Sequence, residues 1–229
     1  SGLRDLFGDA YENMVRPQEM MYTPIHLKLY KALGFDSISL YYSAVPFNGF
    51  SNFIPKLSLQ ERYNPLTLTY PGIAETMTLM PAYNMGDMAD HLTLRRWVKS
   101  MRRGQLALAQ PCDLLLLLDQ DADDQFWYGF DTPGWLKKNF STVRGLPGLL
   151  DNVRDLDYIE FTTPGRYLKK HAPVKTISFG QDSADGSFDG LSSWVEKWSN
   201  QRLFTGLERA RILDLQTRRL AGAQLSAAQ

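Results

Sequence analysis

A chain of 229 residues fits one domain, two at most. Apolar residues at 44% and charged residues at 22% exclude disorder and low-complexity tails, and 25 basic residues against 25 acidic ones leave no electrostatic footprint for nucleic acid or an anionic membrane. The single cysteine, Cys112, excludes an intrachain disulfide framework and a cysteine-based zinc site, and no apolar run reaches the ~18 residues of a membrane helix.

In chain order, strands and helices alternate. Tyr22-Thr23-Pro24, Asp131-Thr132-Pro133 and Thr162-Thr163-Pro164 each precede a helical pattern, with Thr suited to capping and Pro to the first helical position. The first helix reads Pro24 to Leu33 and stops at Gly34. Ser37 to Tyr42 reads as a strand, and Thr76 to Met80, ending at Pro81, as another. Asp90 is placed to cap a helix holding Leu94, Trp97, Val98 and Met101. The run Leu114 to Leu118 reads as a strand buried on both faces. Tyr158 to Phe161 and Val174 to Phe179 are two further strands. Leu203 to Leu220 reads as an amphipathic helix with Leu203, Leu207, Ala210 and Leu213 on one face.

This alternation predicts an α/β fold with a parallel sheet, open or closed. No Gly-x-Gly-x-x-Gly and no P-loop follows a strand, which leans the reading to a barrel or part of one. The expected division is a partial β/α barrel over residues 1–200 and a C-terminal helix over 201–229.

In parallel α/β folds the site lies at the carboxyl ends of the strands. That rule selects Glu19 before the first helix, then Tyr83, Asn84 and Asp87 after Met80. It selects Asp119, Asp121, Asp123 and Asp124 with Phe126, Trp127 and Tyr128 after Leu118, and Asp182, Asp185, Asp189 and Trp194 after Phe179. Four carboxylates in six residues repel one another, so at least one holds its proton more tightly than usual. One protonated and one ionised carboxyl is the arrangement that sugar hydrolysis uses. A solvated acidic loop and an oxygen-lined Ca²⁺ or Mg²⁺ site remain alternatives. His26 and His171 read as structural, whereas His91 beside Asp87 and Asp90 is a candidate for metal or acid–base chemistry. Cys112 precedes a buried strand and reads as inert.

Aromatics make up 12% of the chain. Tyr22, Tyr41, Tyr42, Phe47, Phe50, Phe53, Tyr83, Phe126, Trp127, Tyr128 and Trp194 fall at or after predicted strand ends, near the carboxylates. Rings so placed suit stacking on sugars. Tyr42, Tyr83, Phe126, Trp127, Tyr128 and Trp194 are the substrate-binding candidates.

Pro17-Gln18-Glu19-Met20-Met21-Tyr22-Thr23-Pro24, followed by Ala32-Leu33-Gly34-Phe35, resembles a segment of glycoside hydrolase family 57. Leu118 through Phe126 is similar to that family's acidic strand end, and Thr163-Pro164 through Tyr167-Leu168 to its Thr-Pro-x-x-Tyr-Leu segment. Met80 through Asp87 resembles the Met-Pro-x-Tyr segment of family 38, the α-mannosidases. The resemblance implies a distorted (β/α)7 barrel and a retaining glycosidase. Glu19 would be its nucleophile and Asp121 or Asp87 its general acid, with Asp119 and Asp124 as further candidates. Retention requires two carboxyls about 5–5.5 Å apart. A carbohydrate substrate is implied, with no nucleic acid or membrane as partner. No cofactor is implied by family 57, and zinc would follow from a family 38 likeness. Both families carry a His-rich motif on their first strand. Nothing before Glu19 supplies it, so the chain reads as the later part of such a barrel, with the missing N-terminal part of the same protein as a partner. The rival readings are a non-catalytic carbohydrate-binding module and a metal-dependent polysaccharide deacetylase using Asp87, Asp90 and His91. A cytoplasmic location is favoured.

Overall fold

The computed structural model describes residues 2–8, 11–42, 57–122, 124–178 and 198–227. The chain opens with α1 (Gly2–Phe7), β1 (Met14–Val15), a 3₁₀ turn (Gln18–Met20), α2 (Ile25–Ala32) and β2 (Ser37–Tyr41). Next come α3 (Leu59–Arg62), β3 (Leu66–Tyr70), β4 (Ile73–Tyr83), α4 (Met85–Asp90), α5 (Leu94–Leu106) and β5 (Leu117–Leu118). Helices α6 (Gln125–Tyr128), α7 (Gly134–Asn139), α8 (Gly145–Val153) and α9 (Pro164–Leu168) precede β6 (Thr176–Ser178) and the long α10 (Trp198–Ala227).

The six described strands form one mixed sheet with β4 as its spine. β2 lies parallel along one edge of β4, Ser37 to Tyr41 opposite Thr78 to Ala82, and β1 lies parallel outside β2. The other edge of β4 is shared. β3 pairs antiparallel with its first part and β5 parallel with Ala82 and Tyr83. β6 runs parallel with β3, hence opposite to β1, β2, β4 and β5. Among the described residues no pairing closes the sheet into a barrel.

The all-parallel expectation fails at β3. Leu66, Leu68 and Tyr70 alternate with threonines, a period of two that fits a strand. Pro71-Gly72 then reverses the chain, and Gly72 takes the positive φ of 83° that such a turn demands. The hairpin explains a second difference. The run Leu114–Leu118 was expected to pair throughout, yet only Leu117 and Leu118 do, and they are half-buried. β3 already occupies the edge of β4 up to Leu79, which leaves Ala82 and Tyr83 for β5. Strand β4 also runs through Pro81, placed where its partner changes from β3 to β5 and a missing N–H costs least.

Other boundaries move for local reasons. Thr93, not Asp90, caps α5, accepting from Arg96 N–H at 3.2 Å, while Asp90 ends α4. Of the three Thr-Pro signals, only Thr163 caps with its side chain, ahead of Pro164 in α9. Tyr158 to Phe161 is not a strand. Helix α10 is longer than its periodic stretch, and every side chain from Gln201 to Gly222 is exposed, Leu203, Leu207 and Leu213 included.

The buried side chains form two clusters. The first joins Met20, Tyr22 and Leu27 to Ile38, Leu40, Leu66, Leu68, Met77 and Leu79. The second gathers Met88, Leu94, Trp97, Met101, Phe126, Leu149 and Val153 around Tyr83. Tyr42 packs against both.

A charged cap ties the chain's start to α9. Glu12 accepts from Gly165 N–H and from the Thr163 hydroxyl, both at 2.9 Å. A carboxylate at a helix start is favoured by the dipole. Glu12→Ala should cost about 1 kcal/mol, roughly 2–4 °C in thermal denaturation, with Glu12→Gln recovering part of it.

Candidate functional site

β1, β2, β4 and β5 point the same way, so their carboxyl ends share one rim: Arg16, Tyr42, Asn84 and Asp119 are the residues that follow. Arg16 organises this rim. Its Nε donates to Asp119 Oδ1 at 2.8 Å and its Nη2 to Asp121 Oδ1 at 3.2 Å. Nη2 also reaches Tyr41 Oη at 3.5 Å, and the Tyr41 hydroxyl donates to the Asp119 carbonyl at 3.0 Å. The ends of β1, β2 and β5 are thereby pinned together.

Glu19 sits three residues beyond Arg16, in the 3₁₀ turn. Met20, next to it, is fully buried and holds φ at 50°, a left-handed conformation that a methionine adopts only when its surroundings enforce it. Met20 N–H to Pro17 O and Met21 N–H to Gln18 O, each 3.0 Å, close the turn. Stored strain of this kind clusters at functional sites.

The acidic loop divides by role. Asp119 is mostly buried, its side chain 16% exposed, while Asp121 is 65% exposed. Burial pushes the Asp119 carboxyl above the usual range, Arg16 pulls it down, and the nearby Asp121 charge adds to the rise; the rise prevails. Burial works against the Arg16 charge, yet its bonds to Tyr41 and Asp119 keep it more firmly protonated than usual. Asp124 caps α6, accepting from Phe126 N–H at 2.8 Å and from Gln120 Nε2 at 2.9 Å. Gln120 ties the loop to the end of β4, accepting from Met85 N–H at 3.4 Å. Asp123 lies outside the described residues.

Asp87 shares the rim but is held in a capping box, accepting from Asn84 N–H at 2.8 Å while Asn84 Oδ1 accepts from Asp87 N–H at 3.2 Å. His91 stacks on Trp97 with ring centres 4.8 Å apart. Among the described residues no group of three His, Cys, Asp or Glu side chains is placed to hold a metal, so neither the zinc reading nor the Asp87-Asp90-His91 set finds its ligands there.

The aromatic candidates separate in the same way. Tyr83 is 4% exposed, stacks on Tyr63 at 5.2 Å, meets Trp97 edge-on at 5.3 Å and donates to Arg62 O at 2.7 Å. Phe126 is 1% exposed. Both rings are core, with no face left for a sugar. Trp127 is half-buried against Phe126 and anchored by its indole N–H to Gln120 O at 3.2 Å. Tyr128, 75% exposed, stands beside a hollow of about 370 Å³ bordered by Phe130, Lys137 and Arg144. Tyr42 is half-buried, with the Arg62 guanidinium 5.8 Å from its ring centre. Trp194, Asp182, Asp185 and Asp189 lie outside the described residues, as do Phe47, Phe50 and Phe53.

The chain's fold is similar to that of a known enzyme. It aligns with the 4-alpha-glucanotransferase from Thermococcus litoralis at a TM-score of 0.53 and 18% identity, over 80% of this chain and 26% of that one. This chain therefore corresponds to about a quarter of that protein's length. At this identity the likeness concerns the fold, where it agrees with the family 57 resemblance; the family 38 resemblance gains no support. No protein family model and no curated protein matches the sequence.

Arg16 and Tyr41 are the residues that sequence reasoning missed. β1 is two residues long, too short for any periodic signal, so nothing marked Arg16 as standing at a strand end. Tyr41 stands among the rings at strand ends, but nothing in the sequence marks its hydroxyl as a partner of Arg16 and Asp119. His26, by contrast, is structural as expected: its Nδ1 accepts from Thr23 N–H at 3.3 Å. His171 stacks on Tyr167 and lies 3.5 Å from Asp113. No described helix is long and apolar enough to cross a membrane.

Proposed function

We propose that the chain belongs to a carbohydrate-active enzyme that cleaves or transfers a glycosyl bond with retention, acting on a glucan-like oligosaccharide. Glu19 is assigned as the nucleophile and Asp119 as the acid–base carboxyl, in preference to Asp121, which is open to water, and to Asp87 and Asp124, which are engaged in helix caps. The observation that supports this most is the Arg16 bridge. Arg16, three residues before Glu19 in the chain, holds a buried, proton-retaining carboxyl on the rim of a fold like that of a glucanotransferase.

Chemically, Asp119 would protonate the leaving glycosidic oxygen while Glu19 attacks the anomeric carbon. Asp119, then ionised, would take a proton from the incoming water or sugar hydroxyl that releases the glycosyl group. Arg16 keeps the ionised form of Asp119 accessible after the first step and orients it throughout. Among the described candidates, Trp127, Tyr128 and Tyr42 are the rings left to line the sugar.

The test uses maltooligosaccharides and an aryl α-glucoside. Glu19→Gln should lower turnover by at least a thousandfold, and azide should restore product formation in Glu19→Ala but not in the glutamine variant. Turnover equal to the parent in Glu19→Gln would refute the assignment. A second reading, a non-catalytic sugar-binding module, draws support from the commitment of Asp87 and Asp124 to caps. It predicts maltooligosaccharide binding by calorimetry with no turnover of either substrate.

A further inference from the structure

A hollow of about 700 Å³ lies away from the acidic loop, along the outer face of α5. Helix periodicity creates it. α5 buries Leu94, Trp97 and Met101, so the residues between them must face outward. The helix carries Arg95, Arg96, Lys99, Arg102 and Arg103 outside that buried stripe, five cations with no acid in thirteen residues, in a chain whose net charge is zero.

Two of the five are occupied. Arg95 is paired with Asp155, its Nη1 at 2.6 Å and its Nη2 at 3.0 Å from the carboxylate oxygens. Arg102 donates to Gln105 at 2.6 Å and lies over the Tyr158 ring, 5.4 Å from its centre. Arg96, Lys99 and Arg103 all line the cavity, at helical spacings of three and four, and form no ion pair among the described residues. Among the described residues Asp90 is the one carboxylate in the lining, and Asp155, paired with Arg95, is near enough to act on Lys99 as well. Like charges at this spacing repel, and a solvent-facing helix ordinarily relieves that with interspersed glutamates. Here an anion between the cations would relieve it.

The walls are ordered. His91 is stacked flat on Trp97, and Leu92 holds a left-handed φ of 64°, fixed by its N–H to Ala89 O at 2.9 Å. Ser100, four residues after Arg96 and three before Arg103 on the same helix, also lines the hollow. Guanidinium groups bind phosphate and sulfate oxygens with paired, charge-assisted hydrogen bonds, and the Tyr158 side chain adds an apolar surface. The hollow is open to solvent along much of its mouth, and its volume lies within the range of small-ligand sites.

We propose that the α5 cavity binds a compact anionic ligand bearing phosphate or sulfate esters on a sugar-sized body. The anion chemistry is independent of the glycosyl-transfer assignment, because none of its residues belongs to the Arg16–Asp119 rim. A phosphorylated sugar and free phosphate share it, and the test separates them.

Calorimetry on the full chain at low salt, where surface electrostatics is least screened, would use glucose 6-phosphate, inorganic phosphate, neutral maltotriose and a twelve-residue oligothymidylate. Glucose 6-phosphate should bind, and Arg96→Ala with Arg103→Ala should weaken it by roughly a hundredfold, about tenfold per lost charged contact. Arg211→Ala on α10 should leave it unchanged. Tighter binding of glucose 6-phosphate than of phosphate identifies the sugar ester as the ligand, and equal binding identifies the bare anion; either outcome supports the site. Should the alanine pair fail to fold by circular dichroism, Arg96→Gln with Arg103→Gln carries the same expectation. Absence of binding by both phosphates, equal binding in the double variant, displacement by maltotriose, or tighter binding of the oligothymidylate would overturn the proposal. Loss of turnover in Glu19→Gln with anion binding intact would leave the two assignments separately judged.

Discussion

Asp119→Asn should reduce glycosyl turnover by about 10²–10⁴-fold while leaving thermal stability equal to or above that of the parent. The two halves of this result have one cause. Asp119 is buried enough that its ionised form is disfavoured in spite of Arg16, so the folded chain holds the proton more tightly than an unfolded chain does. A carboxyl with a raised folded value favours the folded state at acid pH. That contribution is lost as the pH climbs from the ordinary carboxylate range, about 3.9, through the raised value. Asparagine carries no such charge, so the difference in melting temperature between variant and parent should widen across that window and then stay flat. Arg16 keeps its contact to Asp121 in the variant, which limits any loss from the broken pair. Removing a carboxylate that caps a helix should instead lower stability. Asp124→Ala should cost about 1 kcal/mol of stability through the lost cap of α6. A pH-dependent melting series with parallel kinetics separates the two classes, and undiminished turnover in Asp119→Asn would remove that residue from the mechanism.

The parts of this structure that were readable in the sequence are those whose reasons are local. Strand β2, Ser37–Tyr41, was marked by the run Ser37 to Tyr42, and α2 by its Pro start and Gly34 stop, because propensity and punctuation act within a few residues. The concentration of acids after Leu118 correctly marked a strand end. What escaped depended on neighbours distant in sequence. The five leucines from Leu114 had the composition of a full strand, but the edge they needed was already taken by β3. Tyr83 looked like a ring at a cleft because strand ends usually are open. Only the arrival of Trp97 and Tyr63 encloses it. Some of the loss was avoidable. Asn84 three residues before Asp87 is a capping-box spacing, and Asp124 directly before Gln125-Phe126 is a cap position, so the structural occupation of both carboxylates had a signal. The alternation in Leu66 to Tyr70 ahead of Pro71-Gly72 likewise announced the hairpin that broke the parallel order. Arg16 had no such signal, since a charge beside a two-residue strand gains meaning only when β5 delivers Asp119 to it.

Gly145→Ala should destabilise the protein by roughly 3 kcal/mol, and Gly134→Ala, eleven residues earlier, by nothing measurable. Gly145 begins α8 with φ at 72°, in the left-handed region where a side chain costs about 1–2 kcal/mol. Space makes matters worse. A β-carbon there would collide with the Trp127 carbonyl, and would stand 2.6 Å from Gly129 N and 2.7 Å from the Tyr128 carbonyl carbon. All three are backbone atoms, so no rotamer change relieves the clash. Relief requires α6 and α8 to part, at a further cost of about 1–3 kcal/mol. Gly134 has an ordinary φ, lies exposed at the start of α7, and has open space where a β-carbon would go, so alanine there can only add helix propensity, up to about 1 kcal/mol. For a chain of this size the first change amounts to a drop of roughly 6–12 °C in melting temperature. The consequence reaches the rim. Moving α6 pulls on Asp124 and on the Trp127 indole, both of which hold Gln120, and Gln120 is the residue between Asp119 and Asp121. Gly145→Ala should therefore also lower turnover at temperatures where it is still folded, with the loss in kcat rather than in folded fraction. Scanning calorimetry paired with kinetics well below the melting point measures both effects. Equal melting temperatures for the two alanine variants would show that the packing of α6 on α8 does not bear on the stability of the acidic loop.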